Sequence, residues 1–289
     1  MKKAMLSIIL FYFMMPITEL IAGQFDLKEY DISTRLMRST FKIQGKKANG
    51  NNSIGTIFIV AEQSKKHPGR GYYVLITAAH VLEDIAEDNA TIYLRRIVDN
   101  TFVKYPYQIG IRDRGKPLWV RHPKVDVAAM RLVLPQEIDI HMITTNLFAT
   151  DEMLNEFEIH PGDELFVLGY PYNVEANDAG FPILRSGKIS SFPLTPTNKT
   201  LTLLLDFPIY SGNSGGPVFL YSQNRLYSNS THIGIVKFVI GVVSQELKVP
   251  EQLKTLNELI IREHKMGLAI IVHASFLKDL IEMLPPMQE

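Results

Sequence analysis

The chain has 289 residues, of which 30 are basic, 30 are acidic and none is cysteine. That length supports one large domain or two fused sub-barrels with filled cores. Balanced charge excludes the electrostatic footprint of a nucleic-acid or anionic-membrane binder, and the lack of cysteine excludes a disulfide framework, so stability must come from packing.

The first 23 residues read as an export signal. Lys2 and Lys3 precede an apolar run from Met5 to Met15, then the helix-breaking Pro16, then a small-residue exit at Leu20-Ile21-Ala22-Gly23. The run is short for a bilayer span, so cleavage after Ala22 or Gly23 is expected. The product is then secreted or periplasmic, with no membrane attachment; an uncleaved anchor is the alternative. Residues 24–52 read as an N-terminal extension with some helix, ending in the polar loop Gln44 to Asn52. From 53 onward, β-branched and aromatic runs separated by turn residues predict strands over Ser53–Ala61, Tyr72–Thr77, Thr91–Val98 and Phe102–Ile111. Lys65 to Gly71 reads as a hairpin loop. Residues 134–160 are less strand-like and read as a connector, with a short helix over 150–157 capped by Thr150 or Asp151. Further strands are expected over Glu164–Leu168, Ile183–Ser190, Leu201–Asp206, Pro217–Tyr221, Ile233–Ser244 and Leu268–Val272, then a helix from Phe276 to Leu284. Short strands with turns between them favour antiparallel barrels over a parallel sheet. The chain is thus expected to be all-β.

Three places along this series carry chemistry. His80 closes the apolar run Val74-Leu75-Ile76-Thr77-Ala78-Ala79, and its small neighbours leave room for a ring to pivot. Asp126 sits just before the apolar Val127-Ala128-Ala129-Met130. Ser214 lies in Gly212-Asn213-Ser214-Gly215-Gly216-Pro217, between two strand-like runs. A serine hydroxyl is a poor nucleophile until a base takes its proton. Histidine suits that role at neutral pH, and a carboxylate fixes its tautomer. The glycines allow positive φ and close approach, so the N–H groups of Gly212 and Ser214 can converge on the oxyanion of an acyl-transfer intermediate. Taken singly, His80 could be a core histidine, Asp126 a capping residue and Ser214 a turn residue; together they point to acyl transfer.

Thr77-Ala78-Ala79-His80, Asp126-Val127-Ala128 and Gly212 to Pro217 resemble the three signatures of trypsin-like (chymotrypsin-fold) serine peptidases, in the style of bacterial secreted members. The likeness extends over about 53–283. Gly162 to Pro171 is similar to the strand opening the family's second barrel, Gly241-Val242-Val243-Ser244 to the strand beside the specificity pocket, and Gly267 to Val272 to the last strand before a terminal helix. It implies two six-stranded antiparallel β-barrels with the triad between them: barrel one about 53–133, connector about 134–160, barrel two about 161–274, C-terminal helix about 275–285. No appended PDZ-type peptide-binding domain is expected after that helix. It also implies a His80–Asp126–Ser214 endopeptidase acting on proteins or peptides, with no metal or organic cofactor. Asn213 replaces the aspartate that pairs with a new N-terminus in digestive relatives, and no Ile-Val-Gly-Gly-like sequence precedes the first strand. Activity without zymogen-type cleavage is therefore expected.

The substrate pocket is inferred by spacing. Pro208, then Ile209, stands where trypsin carries an acidic floor residue, so a basic substrate side chain would be desolvated without a counter-charge. Gly267 should leave one wall open, and Ser244-Gln245-Glu246 should form another whose backbone pairs with substrate by β-augmentation. A small or medium apolar P1 residue follows, unless the Glu246 side chain turns inward. The histidines show no paired spacing for zinc. Two rival functions remain: a non-catalytic peptide-binding protein on the same fold, and an esterase of the α/β-hydrolase kind. The esterase needs a helix after the serine and its acid and histidine downstream. The sequence leaves the oligomeric state and natural substrate open.

Overall fold

The computed structural model describes residues 15–16, 31–64, 70–254 and 259–286. The expected signal cleavage point and residues 65–69 of the hairpin loop lie outside that range. Helix α1 (Ile32–Ser39) opens the fold, its first turn capped by the Asp31 carboxylate, which accepts from the Thr34 N–H at 2.9 Å. The first half then contains β1 (Thr40–Lys46), β2 (Asn52–Gln63), β3 (Arg70–Thr77), β4 (Asn89–Val98), β5 (Thr101–Gly110), β6 (Val120–Arg121) and β7 (Ala128–Leu132). They form a sheet in the order β5-β4-β1-β2-β3-β7-β6, joined by short pairings from Met15–Pro16 onto β3 and Ile143–Thr144 onto β2.

The second half is a closed six-stranded antiparallel barrel of β8 (Glu164–Gly169), β9 (Ile183–Ile189), β10 (Thr202–Asp206), β11 (Pro217–Gln223), β12 (Ile235–Lys254) and β13 (Leu259–His273), in the order β8-β9-β10-β13-β12-β11. The fold is the all-β double-barrel arrangement with a C-terminal helix, Ser275–Glu282. Among the described residues no helix is long and apolar enough to cross a membrane.

Alternation of side chains along each strand divides the interior into three cores. In β2, Ile57, Ile59 and Ala61 fill the first barrel while Phe58 and Val60 face its neighbour. In β8, Leu165 and Val167 fill the second barrel while Leu168 faces the first. Strands at this seam are buried on both faces, which is why they read as unbroken apolar runs. The C-terminal helix seals the seam with Phe276, Leu277, Leu280 and Ile281, joined by Ile32 and Leu36 of α1.

Two boundaries are corrected. Residues 40–46 are not part of an extension and its loop: β1 pairs with both β2 and β4, and Phe41 and Ile43 are fully buried in the first core. The first barrel therefore begins before 53, and only Lys47–Asn51 turns. In the second barrel, β12 and β13 run well past the expected ends, pairing from Lys248↔Lys265 outward as a two-stranded ribbon. The connector behaves as expected at its helix, Asp151–Glu156, where the Thr150 hydroxyl accepts from the Met153 N–H at 3.3 Å.

Candidate active site

β3 ends at Thr77, and a one-turn helix (Ala79–Glu83) carries His80 at its start. Ala78 and Ala79 are fully buried, so the turn packs tightly without side chains in the way of the imidazole. Asp126 comes from the loop between β6 and β7, folded back on itself by His122 N–H donating to the Val127 carbonyl at 2.9 Å. The two meet closely. His80 Nδ1 lies 2.7 Å from Asp126 Oδ2, and the His80 backbone N–H donates to Asp126 Oδ1 at 3.0 Å.

Burial disfavours the Asp126 anion, but hydrogen bonds from His80 and the Ser244 hydroxyl outweigh it and hold its pKa down at about 2. The carboxylate is thus ionised at neutral pH, so Nδ1 carries the proton and Nε2 is the free base. Burial also disfavours imidazolium, yet the Asp126 hydrogen bond and charge, with Asp84 and Glu83 adding, raise the His80 pKa above its ordinary value.

Ser214 arrives from the other barrel, in the turn between β10 and β11. Gly215 (φ 88°) and Gly212 (φ 98°) both take left-handed backbone. A Cβ on Gly215 would overlap the Thr56 carbonyl and Thr77 Oγ1, and one on Gly212 would overlap the Tyr170 carbonyl, so neither position admits a side chain. The turn is fixed by Gly215 N–H to the Val243 carbonyl (2.8 Å), Gly216 N–H to the Asn213 carbonyl (3.0 Å) and Asn213 N–H to the Tyr210 carbonyl (3.0 Å). The N–H groups of Gly212 and Ser214 donate to nothing among the described residues, as a pair awaiting an oxyanion would. The Ser214 hydroxyl donates to the Ser244 carbonyl at 2.9 Å, and no hydrogen bond joins it to His80. Ser244 in turn donates its own hydroxyl to Asp126 at 2.6 Å. The histidine and aspartate are therefore in direct contact, and the serine connects to them through Ser244.

Two roles were not read from the sequence. Ser244, expected in a pocket wall, also donates its buried hydroxyl to Asp126 and so orients the carboxylate. Thr56 of β2, fully buried, crosses the barrel boundary: its hydroxyl donates to the Gly212 carbonyl at 2.6 Å and its N–H to the Ser214 carbonyl at 2.9 Å. A polar residue inside the apolar Gly55 to Ala61 run was the available signal.

The pocket residues divide. Ile209 is buried in the second core, whereas Pro208 is exposed, its carbonyl accepting from Arg185 at 3.0 Å. Gln245 is exposed on the strand beyond Ser244. Gly267 (φ 69°) has open space around its Cβ direction, and its carbonyl accepts from Phe207 N–H at 3.1 Å. The Glu246 carboxylate, 10% exposed, pairs with Lys265 at 2.9 Å. That bond raises the Lys265 pKa, with the phenols of Tyr172 and Tyr210 adding to it. The two tyrosine rings stack with centroids 4.8 Å apart.

Residues 55–227 match the model of the trypsin-like peptidase domain. No curated protein matches the sequence. Among solved structures, the Rv3671c protease of M. tuberculosis in its active form is 16% identical, with 89% of this chain and 86% of that chain covered and a TM-score of 0.47. The protease Anisep of Arthrobacter nicotinovorans is 14% identical, with 86% and 95% covered and a TM-score of 0.46.

Proposed function

The chain belongs to the trypsin-like peptidase domain family, and from that premise we propose that it is an exported serine endopeptidase, active without zymogen-type cleavage. The observation that carries the reading is the 2.7 Å contact between His80 and an ionised Asp126, beside a serine turn with two undonated N–H groups. A turn about the Ser214 Cα–Cβ bond moves the hydroxyl from the Ser244 carbonyl toward His80 Nε2. As His80 takes the proton, Ser214 attacks the scissile carbonyl, and the N–H groups of Gly212 and Ser214 hold the oxyanion. His80 then protonates the leaving amine. Water repeats the cycle on the acyl-enzyme. Activation without cleavage is supported by Asn213, which offers no carboxylate for a new N-terminus, and by Thr56, which already fixes the carbonyls of Gly212 and Ser214.

A fluorophosphonate probe tests the reading: wild type should be labelled and Ser214→Ala should not. Absence of labelling in folded wild type would instead support a peptide-binding protein, the reading favoured by the Ser214 hydroxyl resting on Ser244.

The pH profile follows from the charges. Catalysis needs neutral His80, whose pKa is raised, so kcat/KM should climb with pH and reach half its plateau above pH 6.5. Asp126 stays ionised down to about 2 and adds nothing to that limb. In Asp126→Asn the anion is gone, so the limb should move to lower pH while the plateau falls about 10⁴-fold. An unmoved limb would show that another group sets it. For stability the signs oppose. The contribution of His80 is present below its unfolded pKa and lost as pH rises through the folded one; that of Asp126 is present above its unfolded pKa and lost toward about 2.

We assign an apolar P1 preference, because Pro208 supplies no floor charge and the Glu246 carboxylate is already paired with Lys265. Lys265→Ala releases Glu246. Cleavage profiling should then show a gain of about 2- to 5-fold in kcat/KM for substrates with P1 Lys or Arg, the size of a partly exposed ion pair. An unchanged profile would place Glu246 outside the pocket.

A further inference from the structure

We propose that Lys42, on the first barrel, is a positioning residue for the oxyanion site, acting through the Tyr170–Glu175 loop on the direction of the Gly212 N–H. The inference rests on the serine-peptidase reading above. In a trans peptide the C=O and N–H point in opposite directions. The Ser211 carbonyl accepts from the Tyr172 N–H at 2.7 Å, so the Gly212 N–H of the same peptide unit points away from that loop, with no partner among the described residues. Whatever keeps Tyr172 in place therefore aims the donor.

Within the loop, the Asn173 N–H donates to the Tyr170 carbonyl at 3.0 Å and the Val174 N–H to the Pro171 carbonyl at 2.9 Å, one short turn that leaves the Tyr172 N–H to the Ser211 carbonyl. Tyr172 (φ 51°) and Asn173 (φ 65°) are consecutive side-chain-bearing residues in the left-handed region, a conformation unfavourable for the tyrosine above all and maintained by surrounding contacts. The Tyr172 side chain is 66% exposed and stacks only on Tyr210, so it supplies little. The constraint comes from across the barrel boundary. Lys42 Nζ donates to Asn173 Oδ1 at 2.8 Å and pairs with Glu175 Oε1 at 2.5 Å; Lys104 pairs with the other Glu175 oxygen. The ammonium also lies 4.5 Å from the Tyr93 ring centroid. The side chains of Lys42 and Glu175 are only 7% and 13% exposed, so water replaces that ion pair poorly. Lys42 thus links Asn173, by a hydrogen bond, to Glu175, by an ion pair.

Removing its ammonium leaves Asn173 Oδ1 to mobile solvent in place of a fixed donor and strips Glu175 Oε1 of its cation. The left-handed pair can then relax, the Tyr172 N–H leaves the Ser211 carbonyl, and the peptide can turn its donor out of the site. Loss of one oxyanion donor costs about 10²–10³ in kcat, and a donor misdirected part of the time costs less. Lys42→Met should therefore lower kcat about 10- to 100-fold with KM nearly unchanged, and weaken a peptide aldehyde, which forms its oxyanion on Ser214, by a similar factor. Lys42→Arg keeps the charge and a donor, and should restore most of the loss. Amide exchange at Tyr172 should accelerate in Lys42→Met, a readout independent of turnover. Where Lys42→Met does not fold, Asn173→Ala removes the same tether while keeping a side chain in the left-handed position and leaving the ion cluster intact, and should show the same pattern. Wild-type kcat, aldehyde affinity and Tyr172 exchange in these variants would overturn the inference while leaving the peptidase reading standing. An inert wild type would overturn both.

Discussion

Ser214→Ala should lose about 10⁴- to 10⁶-fold in kcat/KM on a cleavable peptide while remaining folded. The large figure reflects how triad members act as one unit: without the hydroxyl there is no acyl-enzyme, and what remains comes from the oxyanion donors and substrate binding. The small structural cost follows from the site. Ser214 is half-buried, and its side chain makes one hydrogen bond, to the Ser244 carbonyl. A bond of that kind contributes about 0.5–1.5 kcal/mol, a few degrees in Tm for a chain of this size. Steady-state kinetics with differential scanning calorimetry separates the two effects. Turnover matching wild type would remove Ser214 from the mechanism.

A chain starting at Ser53 should fail to fold, whereas one starting at Asp31 should fold. The deleted segment carries Ile32, Leu36, Phe41 and Ile43, all essentially fully buried. At about 1.5–3 kcal/mol each, their burial contributes about 6–12 kcal/mol, comparable to the whole 5–15 kcal/mol net stability of a typical domain. Arg95 adds to the loss. Its guanidinium, fully buried between the rings of Phe41 and Phe181, donates to the carbonyls of Met37, Arg38, Thr40 and Gly180. Truncation removes three of those four acceptors and one ring, stranding a buried charge, a defect of about 3–5 kcal/mol by itself. Far-UV circular dichroism and thermal melts of the two chains give the answer. Equal melts would mean that α1 and β1 merely decorate the barrel.

This boundary also shows what one sequence can yield. Thr40-Phe41-Lys42-Ile43 alternates as a strand does, but the following Gln44 to Asn52 is polar and glycine-containing, and the alternation is too short to stand out against it. The ribbon from Lys248 to Lys265 was hidden for the opposite reason. It lies beyond the barrel; its described residues 248–251 and 262–265 are exposed, with Lys248–Glu263 and His264–Glu251 pairing across it at 2.8 and 2.6 Å, so no buried face marks them as strand. By contrast, strands at the seam were legible because both faces are buried. His80, Asp126 and Ser214 were legible because small residues and glycines must flank them, leaving local signatures. Thr56 leaves only a polar break in an apolar run, Ser244 a strand motif that does not reveal its bond to Asp126, and Lys42 and Glu175 nothing. Each acts on a residue far away in the chain, and nothing in its own neighbourhood announces the partner.

His80 and Asp126 belong to one barrel and Ser214 to the other. Their mutual aim is therefore a property of the apolar layer between the halves, where Phe58, Phe219, Phe148 and the C-terminal helix meet. With no cysteine in the chain, no covalent fastener spans that layer. Hydrophobic contact weakens on cooling and in denaturant, and a shift of about 1 Å between reacting groups is enough to cost two decades of rate. Under the proposed mechanism, reactivity is thereby tied to the grip of one barrel upon the other, and a small slip at that joint would silence the site while both barrels stay intact.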